Sequence, residues 1–410
     1  MTDFYAAGGA CFCPLGGSLP EGAVRAAPFS PLVFLVSRPG ARGIYAVHDP
    51  AGLDEPEGPA LLLPPQPGRS FSPEADKIIR SEGACVLNTA YHHAFSLLER
   101  FLRPRREGLR VTLVGLGDVG GTALTGLTLL GREIAEIGVY DPCAPLTRRY
   151  ELEMNQVLPP EDGRVMPRVV IRDPGNLFDC DVFLFTASRG VPPVGSGVAD
   201  VRMAQYESNR AMLAPYAREA RERGFTGLFA LVSDPVDYLA RSVFEASNLV
   251  PEGAPDWAGL LPEQVQGYGL GVMHARAMYF ASRRGLDAER VAVYGPHGQE
   301  LVAANDTGSA YDDALSRALT AETVRANLLV RDLGFKPYLA PGLSSAAVSV
   351  LRTLRGEWHD GAVGIGGVWL GCRSRLTRLG PELTREPLAP ALYARIEDAY
   401  RALKGQDRHD

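Results

Sequence analysis

The stretch LRVTLVGLGDVGG, residues 109–121, decides how the chain is read. It begins as a short apolar run of strand type and ends in Gly115-Leu116-Gly117-Asp118-Val119-Gly120-Gly121, a GxGxxG pattern. In such a turn the first glycine permits the tight bend, the second lets backbone approach a pyrophosphate, and the third lets a helix pack closely on the strand. Gly115, Gly117 and Gly120 fill those positions, with Val119 beside them. The small-residue segment VGGTALTGLTLLG, 119–131, reads as the helix that follows, and EIAEIGVYD, 133–141, as a second strand. That strand ends on Asp141, about 20 residues beyond the glycines, where a carboxylate suits ribose hydroxyls and repels a 2′-phosphate. The cofactor expected is NAD. Arg148 and Arg149 are the feature that speaks for NADP, since an arginine there accommodates the phosphate.

Outward from this stretch the rhythm continues. DCDVFLFTAS (179–188) and FTGLFALVSDP (225–235) read as two more strands, with a long helical stretch at 201–224 between them. Strands alternating with helices predict a parallel sheet covered on both faces. From about residue 246 the pattern changes to helix (271–285), strand (289–295), helix (321–334) and C-terminal helix (388–405), the signature of an α+β unit. Upstream, residues 1–60 carry Gly, Pro and short β-type runs, PLVFLVS and GIYAVH, followed by the proline-heavy PEGPALLLPPQPGRS. This reads as a small irregular module, residues 72–102 as helical, and RPRREGLR (103–110) as a basic hinge. The fold class expected is α/β. A doubly wound, parallel-sheet dinucleotide-binding (Rossmann) domain at 108–245 is followed by an α+β substrate domain at 246–410 and preceded by an extra module at 1–107.

Composition narrows the function. The chain has 410 residues, 46% of them hydrophobic and 22% charged, with a formal charge of -6. That length suits two or three cores. The acidic balance gives no reason to expect nucleic acid, and no basic run points to an anionic membrane. No stretch is apolar for the eighteen or so residues that span a bilayer, and the N-terminus lacks a signal-peptide pattern, so a cytoplasmic location is expected. The six cysteines form no CxxC pair, so neither a disulfide framework nor a metal site is expected. Cys11 and Cys13 read as positions on alternate faces of a strand.

Five segments, in order, resemble the lactate/malate dehydrogenase family: VTLVGLGDVGGTALTGLTLLG (111–131), YELEMNQVL (150–158), DVFLFTASRGVPP (181–193), LVSDPVDYL (231–239) and YGPHGQELV (294–302). The resemblance runs from about residue 108 to 405 and leaves the first hundred residues without a counterpart. It implies that His297 is the proton acceptor and donor, that Arg202, ahead of Asn209, is the mobile-loop arginine, and that Arg276 grips the substrate carboxylate. It also implies that Thr186 and Ala187 line the cofactor groove and that Ser233 meets its nicotinamide end. A homo-oligomer, dimer or tetramer, is the family's habit.

The chemistry asks for these residue types. Oxidising a secondary alcohol removes a hydride and a proton, and the proton needs a base titrating near neutrality, which histidine is. A 2-oxo acid carries a carboxylate that guanidinium binds bidentately, and a second arginine polarises the carbonyl. Two positions depart from the family. Its histidine-orienting aspartate falls on Met273, and its asparagine beside the cofactor is Asp234. The two changes compensate if Asp234 serves as the ionic partner of His297. In the segment 191–202, candidates such as Pro193 and Ser196 are uncharged, which favours a monocarboxylic acid, whereas Arg189 is a nearby alternative cation. The function expected is an NAD-dependent oxidoreductase of a small 2-hydroxy/2-oxo acid. The alternative is a catalytically silent NAD-binding relative that acts as a scaffold. An NAD-dependent glycosidase ranks last, because Cys180 and Cys372 lack histidine partners for its metal.

Overall fold

The structure is a computed structural model and describes residues 3–66, 68–104, 108–160, 163, 165–189, 201–250 and 253–405; the side chains of 201–204 lie outside the description. Residues 1–107 contribute a six-stranded mixed sheet. Its strands are β1 (Phe4–Ala7), β2 (Ala10–Pro14), β3 (Val24–Ala26), β4 (Leu32–Val36), β5 (Ile44–Val47) and β6 (Ala84–Asn88), in the order β3-β1-β2-β4-β6-β5. Helix α1 (Pro73–Glu82) precedes β6, and α2 (Ala94–Leu102) follows it. This corrects two expectations. The N-terminal region is a regular sheet, and 72–102 is helix, strand, helix. Ser72 caps α1, Gly83 at φ +80° ends it, and the next five residues, ACVLN, are all buried between β4 and β5. A five-residue apolar run has no period that separates strand from helix. Cys11 and Cys13 also belong to one face of β2, as a period of two requires, and pack in one cluster with Phe34 and Val86.

The second sheet begins at the quoted stretch. β7 (Leu109–Val114) leads through the glycines into α3 (Asp118–Leu130), then β8 (Ile134–Tyr140), α4 (Ala144–Met154), β9 (Arg168–Ile171) and β10 (Val182–Phe185). After α5 (Val201–Glu222) come β11 (Leu228–Leu231), α6 (Val236–Asn248) and β12 (Val265–Gly267). These six strands are parallel in the order β9-β8-β7-β10-β11-β12. That is the doubly wound Rossmann arrangement, whose order reverses between β7 and β10. Helix α7 (Leu270–Arg283), the small antiparallel pair β13 (Ala292–Tyr294) and β14 (Val302–Ala304), and helix α8 (Asp313–Asp332) follow. A π-helical segment (Pro341–Ser349) runs into α9 (Val350–Arg355), and α10 (Pro390–Gly405) closes the described chain. Antiparallel strands β15 (His359–Ile365), β16 (Val368–Thr377) and β17 (Gly380–Leu383) join the parallel sheet at β12, so one nine-stranded sheet runs through both regions.

Packing explains the layers. The parallel strands are apolar on both faces, as a sheet covered on both sides must be. On one face, α3 and the 341–355 helices cover Val111, Leu113, Val182 and Leu184. On the other, Phe183, Phe185 and Phe229 share a single cluster with α5 and α6 and with Phe12, Val33, Leu35, Leu87 and Leu97 of the N-terminal region. Phe178 stacks on Phe183 at 4.5 Å within that cluster. Burying each such ring contributes about 1.5–3 kcal/mol, so the N-terminal sheet is held by the core of the dinucleotide sheet. At the seam, the buried Glu263 accepts the Gly43 N–H at 2.9 and 3.0 Å through its two oxygens.

Candidate active site

At the carboxyl ends of β7 and β10 the backbone forms a cradle. Gly115 has φ +94°, and a Cβ on it would lie 2.5 Å from the Ala187 nitrogen; a Cβ on Gly120 would lie 1.9 Å from the Gly115 oxygen. No larger residue fits at either place. Gly117, by contrast, faces open space, as a backbone approached by a ligand requires. Thr186 secures the turn, donating its hydroxyl to the Gly115 oxygen at 2.7 Å. The Asp141 carboxylate accepts N–H groups from Leu116 and Cys143, each at 2.9 Å, which fixes it beside the turn with lone pairs to spare. Arg148 and Arg149 pair with Glu151 and Glu153 on their own exposed helix face. The residues thus fit a dinucleotide: an uncapped N-terminus of α3 for phosphate and a held carboxylate for ribose. Val119 is half-buried in the first turn of α3, and Asp118 receives Lys336 at 2.9 Å from the loop after α8.

From the cradle a hydrogen-bonded path leads to the histidine. Ala187, pressed against Gly115, accepts the Ser233 hydroxyl at 2.6 Å. Asp234 follows Ser233, and its Oδ1 lies 2.9 Å from His297 Nδ1. Asp237, buried in the first turn of α6, accepts the His297 backbone N–H at 2.9 Å. The loop that carries His297 is tied to β16 by Gly295 N–H to the Gly371 oxygen at 2.9 Å. Gly269, at the start of α7, is required by closeness, since a Cβ there would come within 2.8 Å of the imidazole Cβ and Cγ.

Electrostatics at His297 are a contest. Burial is the largest influence and disfavours the imidazolium. The Asp234 charge and hydrogen bond, with Asp237 behind them, outweigh it, and the positive Arg276 opposes them. The net effect holds His297 above its ordinary value. Arg276 is half-buried on α7 and donates to Asn327 Oδ1 and to Met273 Sδ, the latter at 3.4 Å. Burial depresses its guanidinium, with Asp234 resisting. Met273 itself is buried in the α7 core.

The structure therefore gathers Asp234, His297, Arg276 and Ser233 beside the cradle of Gly115, Gly117, Val119, Gly120, Asp141, Thr186 and Ala187. Arg202 belongs to α5, but its side chain lies outside the described residues, as do Pro193 and Ser196. Arg189 is exposed, and its N–H donates to Asn209 at 3.0 Å. Asn209 is fully buried and also donates to the Asp234 carbonyl at 2.8 Å, so it joins the β10 and β11 loops. Sequence reading missed Asp237, Gly269 and Asn327. Asp237 carried a signal, an acid three residues after Asp234 at the start of a helix; Asn327, from α8, carried none. Among the described residues no cluster of His, Cys, Asp or Glu could hold a metal, and no helix is long and apolar enough to cross a membrane.

Comparisons with known proteins agree with this fold. No family profile matches the chain. It is 28% identical over 200 residues to an L-lactate dehydrogenase of Treponema denticola, covering 48% of this chain and 56% of that enzyme, little more than half its length. Among solved structures it resembles the minor L-lactate dehydrogenase of Enterococcus mundtii, with TM-score 0.60 and 18% identity over 74% of this chain and 99% of the other. The malate dehydrogenase of Picrophilus torridus superposes with TM-score 0.58 and 18% identity over 72% and 95%. The chain thus shares the fold of these lactate and malate dehydrogenases and resembles one of them in sequence at low identity.

Proposed function

We propose that the protein is an NAD-dependent oxidoreductase that interconverts a small 2-hydroxy acid and its 2-oxo acid. The observation that carries this reading is the Asp234–His297 contact at 2.9 Å, beside the half-buried Arg276 and joined through Ser233 and Ala187 to the glycine cradle. Gly117 and the α3 N-terminus would hold the pyrophosphate, Asp141 the ribose, and Ser233 the nicotinamide end. The chemistry supplied by the bound cofactor is hydride exchange.

The chain's own groups do the rest. Arg276 fixes the acid through its carboxylate and so orients the carbonyl. During reduction the carbonyl carbon gains the hydride while the oxygen takes the proton from His297 Nε2; oxidation runs the same transfers backward. Asp234 holds the opposite nitrogen, Nδ1, fixing the tautomer and stabilising the imidazolium, the work expected of the aspartate that Met273 replaces. Arg202, the second arginine that the resemblance implies, would polarise the carbonyl oxygen.

The test is a screen of short 2-oxo acids for NADH oxidation, alongside a titration of NADH binding. Turnover that His297→Gln abolishes supports the assignment. Tight NADH binding with no turnover across the screen favours the second reading, a silent binding module, to which the loss of the aspartate at Met273 gives its one specific support.

A further inference from the structure

Next to Arg276 lies a cavity of about 690 Å³ between α7, α8 and residues 335–340. Its walls are apolar, with Tyr279, Phe280, Leu329, Val330, Phe335 and Leu339 prominent. The charged residues that line it are Arg276 and Lys336, both cations, and Lys336 is engaged by Asp118. Arg276 meets neutral partners, Asn327 and Met273, and its charge is felt at His297. A half-buried guanidinium at the edge of an apolar chamber is matched by an amphiphilic acid: a carboxylate at one end and a bulky hydrocarbon at the other. The methyl of a three-carbon acid would leave most of the chamber wet, and a second carboxylate would be stranded against apolar walls.

We infer that this cavity receives the substrate's side chain, and that the substrate is a monocarboxylic 2-oxo acid bearing a branched aliphatic or aromatic group. The inference rests on the proposed dehydrogenase reading and specifies its substrate class. Leu329, Phe335 and Leu339 stand 56%, 70% and 60% exposed, an apolar rim that a bulky side chain would cover.

The experiment uses the full chain saturated with NAD⁺ and compares calorimetric affinities for 4-methyl-2-oxopentanoate, phenylpyruvate, pyruvate and 2-oxoglutarate, with NADH oxidation measured separately on each. Three extra buried carbons predict affinity for 4-methyl-2-oxopentanoate on the order of 50-fold above that for pyruvate. Ala326→Phe, which fills the cavity from α8, should bring that ratio toward one. Leu329→Trp on the exposed rim serves as a second variant if the first fails to fold, and should also lower the ratio. Equal or tighter binding of pyruvate or 2-oxoglutarate overturns the inference, and pyruvate turnover in that case leaves the dehydrogenase reading standing. Selective binding of the bulky acids without NADH oxidation does the reverse, sinking the dehydrogenase and keeping the pocket. Self-association that covers Phe335 and Leu339, with affinities equal for all four acids, overturns it in favour of a second copy as the occupant.

Discussion

His297 owes its protonation behaviour to two carboxylates, only one of which touches the ring. Asp234 Oδ1 accepts from or shares a proton with Nδ1, whereas Asp237 binds the backbone nitrogen and acts on the ring through space. Because the folded value lies above the ordinary 6.5, the pair stabilises the fold fully below the unfolded value, and that contribution is lost as pH rises through the folded one. Under the proposed reaction the same sign means that reduction, which would need the imidazolium, should decline only above the raised value. Asp234→Asn removes the charge, so the falling limb of kcat/KM for reduction should move to lower pH; a limb that stays in place rules out Asp234 as the partner. His297→Gln should cost on the order of 10²–10⁴ in kcat. Arg276→Gln should act differently, raising KM for the acid by about 10–100-fold through loss of a charge-assisted bond worth about 1.5–3 kcal/mol, with NADH affinity as the internal control. The nearness of His297 and Asp234 was legible in sequence through the resemblance, which places the segments YGPHG and VSDP at one site, and the same resemblance set the register of Arg276. Asp237, Gly269 and Asn327 were not, because their roles come from contacts made only after α6, α7 and α8 converge.

At the scale of elements, the cradle depends on how closely α3 approaches β7. Gly120→Ala places a methyl where the Gly115 oxygen sits, so strand and helix must part. The cost expected is about 1–3 kcal/mol of stability, together with at least a tenfold loss of NADH affinity by fluorescence titration; full affinity would mean that the cofactor lies elsewhere. This β7–α3–β8 unit was readable from sequence, since its glycines and alternating strand and helix periods are local signals. β6 was not. Its five residues are apolar throughout, and the decision between helix and strand is made by β4 and β5 on either side of it. The junction at β12 was equally hidden: the three residues Val265–Gly267 carry no strand signature, yet they connect the parallel strands to β15.

Across the whole molecule, the first hundred residues behave as part of the dinucleotide fold's core. Leu87 of β6 is fully buried in the cluster that contains Phe183 and Phe229. Leu87→Ala should therefore cost about 2–5 kcal/mol and lower one cooperative melting transition; a second, separate transition would show an independent module. The seam also carries a pH dependence. Glu263, just ahead of β12, reaches to the Gly43 nitrogen, and burial pushes its carboxyl up to about 8, against the pull of Arg42 and of the Gly43 and Ile44 N–H groups. Since the unfolded chain releases that proton near 4.5, the folded chain holds it over the interval between. Stability from this group is thus complete below about 4.5 and lost as pH climbs through 8, the opposite of an ion-paired carboxylate whose value is depressed. Glu263→Gln keeps an acceptor for Gly43 without the ionisation, so its melting temperature should fall less than that of the wild-type chain between pH 5 and 9. Parallel curves would show that Glu263 is ionised throughout and that Arg42 and the amide donors outweigh burial at the seam.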